Sequence, residues 1–240
     1  MSFERDQKTQ STRPESLSDL ALEQLIKEAH VPGVAVASII DGKPAWSTAA
    51  GFADKESKTL ASADTPFWAC SLSKPVFSYL ILKLIEANQS GKATGVGKFK
   101  LPEGLEKFDL DTPLHLLLNY DRLEKTAEKK HKEAITARMV LSHTSGLPNK
   151  GPVKFDFPPG TGFGYSAEGF FYLQQTIEQL TGNSLEELAK EFVFDPLEMK
   201  QSHFLLDEKT SRACNYDEVG NPLPPQPPFS HAAGSPYHCQ

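Results

Sequence analysis

Apolar residues Leu22, Leu25, Ile26 and Ala29 recur at i, i+3, i+4 and i+7, which predicts an amphipathic helix. Ser16, with Asp19 three residues on, has the form of a capping box at its start, and Pro32-Gly33 stops it. The period then shortens. Val34 to Ile40 is β-branched and alanine-rich, Asp41-Gly42 is a hairpin turn signal, and Lys43 to Ala50 returns as a second strand. A helical period resumes with Phe77, Leu80, Ile81, Leu84 and Ile85, the predicted buried face of a helix from Ser71 to about Ala87. Pro75 lies early enough in that helix that its missing N–H leaves no hydrogen bond unmade.

Further along, Asp121 to Ala134 reads as a charged helix and Thr136 to Leu141 as a short one. Phe170, Leu173, Ile177 and Leu180 mark a helix closed by Gly182. Ser184-Leu185-Glu186-Glu187 caps the next, which Pro196 ends. The Gly- and Lys-rich stretch 88–107 reads as a mobile loop, residues 222–228 with five prolines as an extended one, and polar residues 1–15 as a disordered leader. The expected organisation is one domain over 16–240, with a sheet-side lobe at 16–66 and a mainly helical lobe at 67–205.

At 240 residues the chain can bury a sizeable core. Its net charge is −6 and no basic stripe runs along it, which argues against nucleic-acid or anionic-membrane partners. The Lys129-Lys130-His131-Lys132 run reads as a solvated helix face. No stretch approaches the roughly 18 apolar residues of a membrane span, and no apolar signal segment opens the chain. Cys70, Cys214 and Cys239 are too few and scattered for a disulfide framework or zinc site, and the seven histidines show no paired ligand spacing. A cytosolic protein without metal or organic cofactor is expected.

Chemistry enters at Ser71-Leu72-Ser73-Lys74. Spacing i, i+3 at a helix start places the Ser71 and Lys74 side chains on one face, about 5–6 Å apart at Cβ. A serine hydroxyl is a weak nucleophile until a neighbour takes its proton, and a desolvated lysine among Phe67, Trp68 and Val76 could do so. Backbone N–H groups at the helix start would point at a developing oxyanion. S-x-x-K alone is a weak signal, since about one chance occurrence is expected in a chain of this length.

Three ordered motifs strengthen it. Phe67-Trp68-Ala69-Cys70-Ser71-Leu72-Ser73-Lys74-Pro75 is followed by Leu141-Ser142-His143-Thr144-Ser145-Gly146-Leu147-Pro148 and then Pro159-Gly160-Thr161-Gly162-Phe163-Gly164-Tyr165-Ser166. With Phe194 to Lys200 and Ala232-Ala233-Gly234-Ser235, this order resembles the serine β-lactamase-related family of class C β-lactamases, penicillin-binding proteins and S-x-x-K carboxylesterases, over about residues 18–235. The resemblance implies an α/β (α+β) fold of β-lactamase/transpeptidase type. It implies Ser71 as the acylated nucleophile, Lys74 as its base partner, and Tyr165 as the phenol that relays the proton to the leaving group. His143, inside the His-Thr-Ser-Gly-Leu-Pro signature, reads as a structural turn residue. The expected substrates are small esters or amides.

Two departures shape the expectation. The family's tyrosine motif often reads Tyr-Ser-Asn, and its asparagine helps hold an amide-bearing acyl group. Here Ala167 stands at that place, which tilts the reading toward esters. The family's third motif, Lys-Thr-Gly or His-x-Gly on a sheet-edge strand, falls beyond the Ala-Ala-Gly landmark, and the chain given stops at Gln240. Lys209-Thr210-Ser211 precedes that landmark and is no substitute. The sheet is therefore expected to lack its C-terminal strands and to offer an open edge for self-association. Two rival readings follow: a truncated, non-catalytic binding relative, and an α/β-hydrolase elbow at Gly164-Tyr165-Ser166-Ala167-Glu168. The elbow requires a preceding apolar strand, and Phe157-Pro158-Pro159-Gly160 cannot form one.

Overall fold

The computed structural model describes Pro14 and residues 17–93, 95–124, 128–205 and 212–224. The leader 1–15 apart from Pro14, the proposed cap Ser16, the Lys209-Thr210-Ser211 triplet, most of the proline-rich stretch 222–228, the Ala232–Ser235 landmark and Cys239 lie outside them. The chain divides into two compact units, residues 1–68 with 209–227, and 69–208 with 228–240.

The first unit opens with helix α1 (Asp19–Glu28). Its N-cap is Ser18, whose Oγ accepts from the Ala21 N–H, so the cap lies two residues later than the Ser16/Asp19 pattern suggests. Strands β1 (Gly33–Ile40) and β2 (Lys43–Asp54) pair antiparallel through a two-residue turn. Asp41 and Gly42 have φ of 50° and 71°, the backbone such a tight primed turn demands. A third strand, β3 (Thr59–Leu60), adds to the far edge of β2, giving the order β1-β2-β3. α1 packs on β2 with Leu22 buried, and on β2 the small residues Ala50 and Ala53 are buried. At Gly51 (φ 76°) a Cβ would fall 2.3 Å from the Pro32 carbonyl oxygen, so only glycine allows this crossing.

Residues 212–224 return to this unit, which no local pattern announces. The Ala213 N–H donates to the Pro66 oxygen and the Cys214 N–H to the Ala53 oxygen, at 2.9 and 2.8 Å. Tyr216 Oη accepts from the Lys55 N–H at 2.7 Å and donates to Glu56 Oε2 at 2.9 Å. Arg212 lies over the Trp68 ring, 4.7 Å from its centroid.

The second unit is built on two helices. α2 (Ser73–Gln89) buries Phe77, Leu80, Ile81 and Leu84 completely, with Ile85 beside them, the face its periodicity predicts. α6 (Glu168–Thr181) is buried nearly all round. Its interior hydroxyls, Thr176 and Thr181, donate to the carbonyls one turn back, so no polar group is stranded. Gly182 closes it in the left-handed conformation. The remaining helices are short: α3 (Asp121–Glu124), α4 (Lys129–Ala134), α5 (Ala137–Leu141) and α7 (Leu185–Ala189). Residues 121–134 thus form two helices rather than the single one expected. Thr136 caps α5, and Ser184 with Glu187 forms a reciprocal capping box on α7, which runs into a wide π turn before Pro196.

The stretch 88–107 is not the loose loop its glycines and lysines suggest: Asn88 and Gln89 still belong to α2, and the described remainder is tied down. Asn88 donates to the Leu84 and Gly97 carbonyls and accepts from the Phe99 N–H, while the Lys100 N–H donates to the Leu180 oxygen. Phe99, Leu101 and Leu105 pack on the core. No helix among the described residues is long and apolar enough to cross a membrane.

Candidate active site

A single 3₁₀ turn, Cys70–Leu72, feeds α2 and places Ser71 just ahead of the helix. Cys70 takes a φ of 47°, a left-handed backbone in a non-glycine residue, which turns the chain sharply into the Ser71 position. Lys74, the second residue of α2, is only 4% exposed. Its Nζ donates to Ser71 Oγ at 3.1 Å, so the expected i, i+3 pairing is made.

Tyr165 comes from the loop before α6, and its ring is partly open to solvent. Lys74 Nζ sits 4.9 Å from the Tyr165 ring centroid and 5.6 Å from that of Phe170. Ser71, Lys74 and Tyr165, separated by up to 94 positions in sequence, are therefore gathered around one ammonium group.

Ser166 has a different fate. It is 1% exposed; its Oγ donates to the Pro148 carbonyl at 3.1 Å and accepts from the Gly169 N–H at 2.9 Å. Both bonds fix the start of α6 and leave the hydroxyl no open approach. The elbow reading ends there. Ala167, fully buried, is the N-cap position of the same helix.

Two further residues lie near the site: Glu168, for which the sequence gives no role, and His143, read there as a structural turn residue. Glu168 is 5% exposed and accepts from Tyr120 Oη at 2.7 Å, with Arg122 Nε at 3.0 Å. Tyr120 stacks on Tyr172, with centroids 4.6 Å apart. Burial, reinforced by the Glu168 carboxylate, pushes the Tyr120 phenol far above its ordinary range. A lone glutamate at a helix start gives no signal of such partners. His143 is the second: its ring lies 4.4 Å from that of Tyr165, in the same pocket of aromatic side chains as Phe170. Among the described residues no group of three or more His, Cys, Asp or Glu side chains gathers as for a metal ion.

The architecture is that of the β-lactamase/transpeptidase fold. A class C β-lactamase solved with cefoxitin superposes with a TM-score of 0.67 at 20% identity, over 89% of this chain and 58% of that one. A hydrolase with promiscuous acyltransferase activity, EstCE1, superposes at 0.65 and 21% identity, over 86% of this chain and 58% of that one. The chain belongs to the beta-lactamase family, whose model matches residues 19–236; the family is one of serine hydrolases. It is 31% identical over 134 residues to the human serine beta-lactamase-like protein LACTB, mitochondrial, covering 55% of this chain and 20% of that protein. It is 28% identical over 194 residues to a D-aminopeptidase of Brucella anthropi, covering 76% and 35%. The chain thus spans about a fifth to a third of the length of these two relatives.

Proposed function

We propose that the chain is an acyl-transferring serine hydrolase, with Ser71 as nucleophile, Lys74 as its base and Tyr165 as proton relay, acting on small esters in preference to amides or lactams. The observation that carries this reading is the 3.1 Å contact between Ser71 Oγ and the buried Lys74 Nζ. Ser71 Oγ bonds to the acyl carbon while its proton passes to Lys74 Nζ, the base of this reading. Tyr165 then gives its proton to the departing alkoxide as the acyl–oxygen bond breaks and takes the one held by Lys74 in return; water later attacks the Ser71 ester, its proton travelling the same path back to Ser71 Oγ as the acid leaves. The Ser71 N–H, at the turn entering α2, is one donor for the oxyanion.

Support for the substrate class comes from Ala167. Its methyl group is fully buried where the related motif often carries an asparagine amide, so this position has no side-chain amide to offer an acyl group. The named relatives include a D-aminopeptidase and a class C β-lactamase, so the ester preference rests on this chain's own residue.

A fluorophosphonate probe followed by peptide mapping is expected to label Ser71 and to leave Ser166 unmodified. With p-nitrophenyl acetate and nitrocefin as parallel substrates, ester turnover should exceed lactam turnover. Labelling at Ser166, or none at all, overturns the nucleophile assignment, and the second result favours a non-catalytic binding role. Nitrocefin hydrolysis without ester hydrolysis overturns the substrate class alone.

A further inference from the structure

His143 joins α5 to the loop that carries Tyr165, and it touches that loop on both sides of the tyrosine. Its carbonyl oxygen accepts from the Gly164 N–H at 2.9 Å, and its ring Nδ1 accepts from the Ser166 N–H at 3.1 Å. The two residues flanking Tyr165 are thus tied to one residue. Between these bonds the imidazole lies against the Tyr165 ring at 4.4 Å and 31°. The backbone makes this bridging possible: His143 has φ of 57°, a left-handed conformation uncommon for a side chain of this size.

We propose that His143 is a positioning residue for Tyr165, a clasp that is closed while its imidazole is neutral and opened when it takes up a proton. The proposal rests on the acyl-transfer reading above for its catalytic consequence. Its structural part stands on the hydrogen bonds themselves. Nδ1 can accept from the Ser166 N–H only if it carries no proton, which puts the proton of the neutral ring on Nε2. Protonation places an N–H at Nδ1 facing the Ser166 N–H, donor against donor, and adds a positive charge beside Lys74.

The surroundings favour the closed form at neutral pH. Burial, with the Lys74 ammonium adding to it, holds the imidazole below the ordinary histidine range. Among the described residues, Lys74 from α2 and Tyr165 from the clasped loop are the ionisable groups beside the ring; α6 presents Phe170, and the preceding loop Phe163. Glu168, at the start of α6, is engaged by Tyr120 and Arg122. The clasp should therefore open only as pH falls below about 6.5, the unperturbed histidine value.

Nitrogen-15 NMR of the full chain tests the structural half without any turnover. At about pH 7.5 the His143 ring should be neutral with its proton on Nε2, titrate below the unperturbed value, and carry the Ser166 amide resonance with it. A proton on Nδ1, or a charged ring at that pH, overturns the clasp. The catalytic half is read from the rate of Ser71 acylation by p-nitrophenyl acetate against pH. His143→Ala should lose about 10- to 100-fold, as for a misplaced reacting group. His143→Asn, which tolerates the same backbone and offers an untitratable acceptor to Ser166, should recover most of that loss. The ratio of native to Asn-variant rates cancels Lys74 and should fall on acidification with the midpoint seen by NMR. A ratio independent of pH overturns the positioning role. Absence of any Ser71 acylation in the native chain instead strikes the acyl-transfer reading, while the NMR result still decides the clasp.

Discussion

Two serines, Ser71 and Ser166, each stand two residues ahead of a helix, yet what surrounds each hydroxyl differs. Ser166 Oγ spends one bond on Pro148 and another on Gly169, whereas Ser71 Oγ accepts from Lys74 Nζ, which also lies over the Tyr165 and Phe170 rings. Because Lys74 and Tyr165 would serve one proton path, their removal should not add. Lys74→Met, which keeps the buried volume, and Tyr165→Phe are each expected to slow ester acylation by about 10²–10⁴-fold. The double variant should be little slower than the worse single one. Pre-steady-state p-nitrophenol release measures this, and fully additive losses would separate the two residues mechanistically.

At the level of elements, β1 is an outer strand whose far edge no described strand covers. Ile39 on it is 72% exposed, with Ile40 partly so. An open, apolar strand edge templates pairing with another chain, and a lysine there blocks it. Analytical ultracentrifugation should show the native chain self-associating as concentration rises, and Ile39→Lys shifting it toward monomer; a native chain that stays monomeric at high concentration refutes the edge contact. Elements whose packing repeats along the chain were legible in the sequence: the α2 face from Phe77 to Ile85, the β1–β2 turn at Asp41-Gly42, and Gly182 at the end of α6. Elements made by distant partners were not. β3 is two residues long, and the 90–107 stretch is fixed by Asn88 and by isolated Phe99, Leu101 and Leu105, which show no period. The same division runs through the site. The Ser71–Lys74 pair follows from helical spacing and Tyr165 from motif resemblance. The bridging by His143 depends on a positive φ, and the burial of Glu168 on Tyr120, 48 residues away.

For the whole molecule the telling feature is that the first unit is assembled from two separated stretches of chain. Tyr216 helps close it, and burial, with the neighbouring Glu56 carboxylate, pushes the phenol up to about 12, so the hydroxyl stays a donor throughout the neutral range. Tyr216→Phe removes the acceptor of the Lys55 N–H and should weaken local closure by about 1 kcal/mol. Hydrogen exchange at the Lys55 amide should quicken roughly fivefold, with α6 amides as the unaffected internal reference; equal protection in both proteins would show that the hydroxyl contributes nothing. The same contact has a consequence for biosynthesis. Tyr216 follows Lys55 by 161 residues, so at about 5–20 residues per second a ribosome takes roughly 8–30 s to deliver it. Throughout that interval the hairpin has left the exit tunnel without its closing segment, while α2 and its partners emerge and can pack. The hairpin, made before α2 and its partners, is locked after them, and there a ribosome-associated chaperone would find a long-lived unfinished surface.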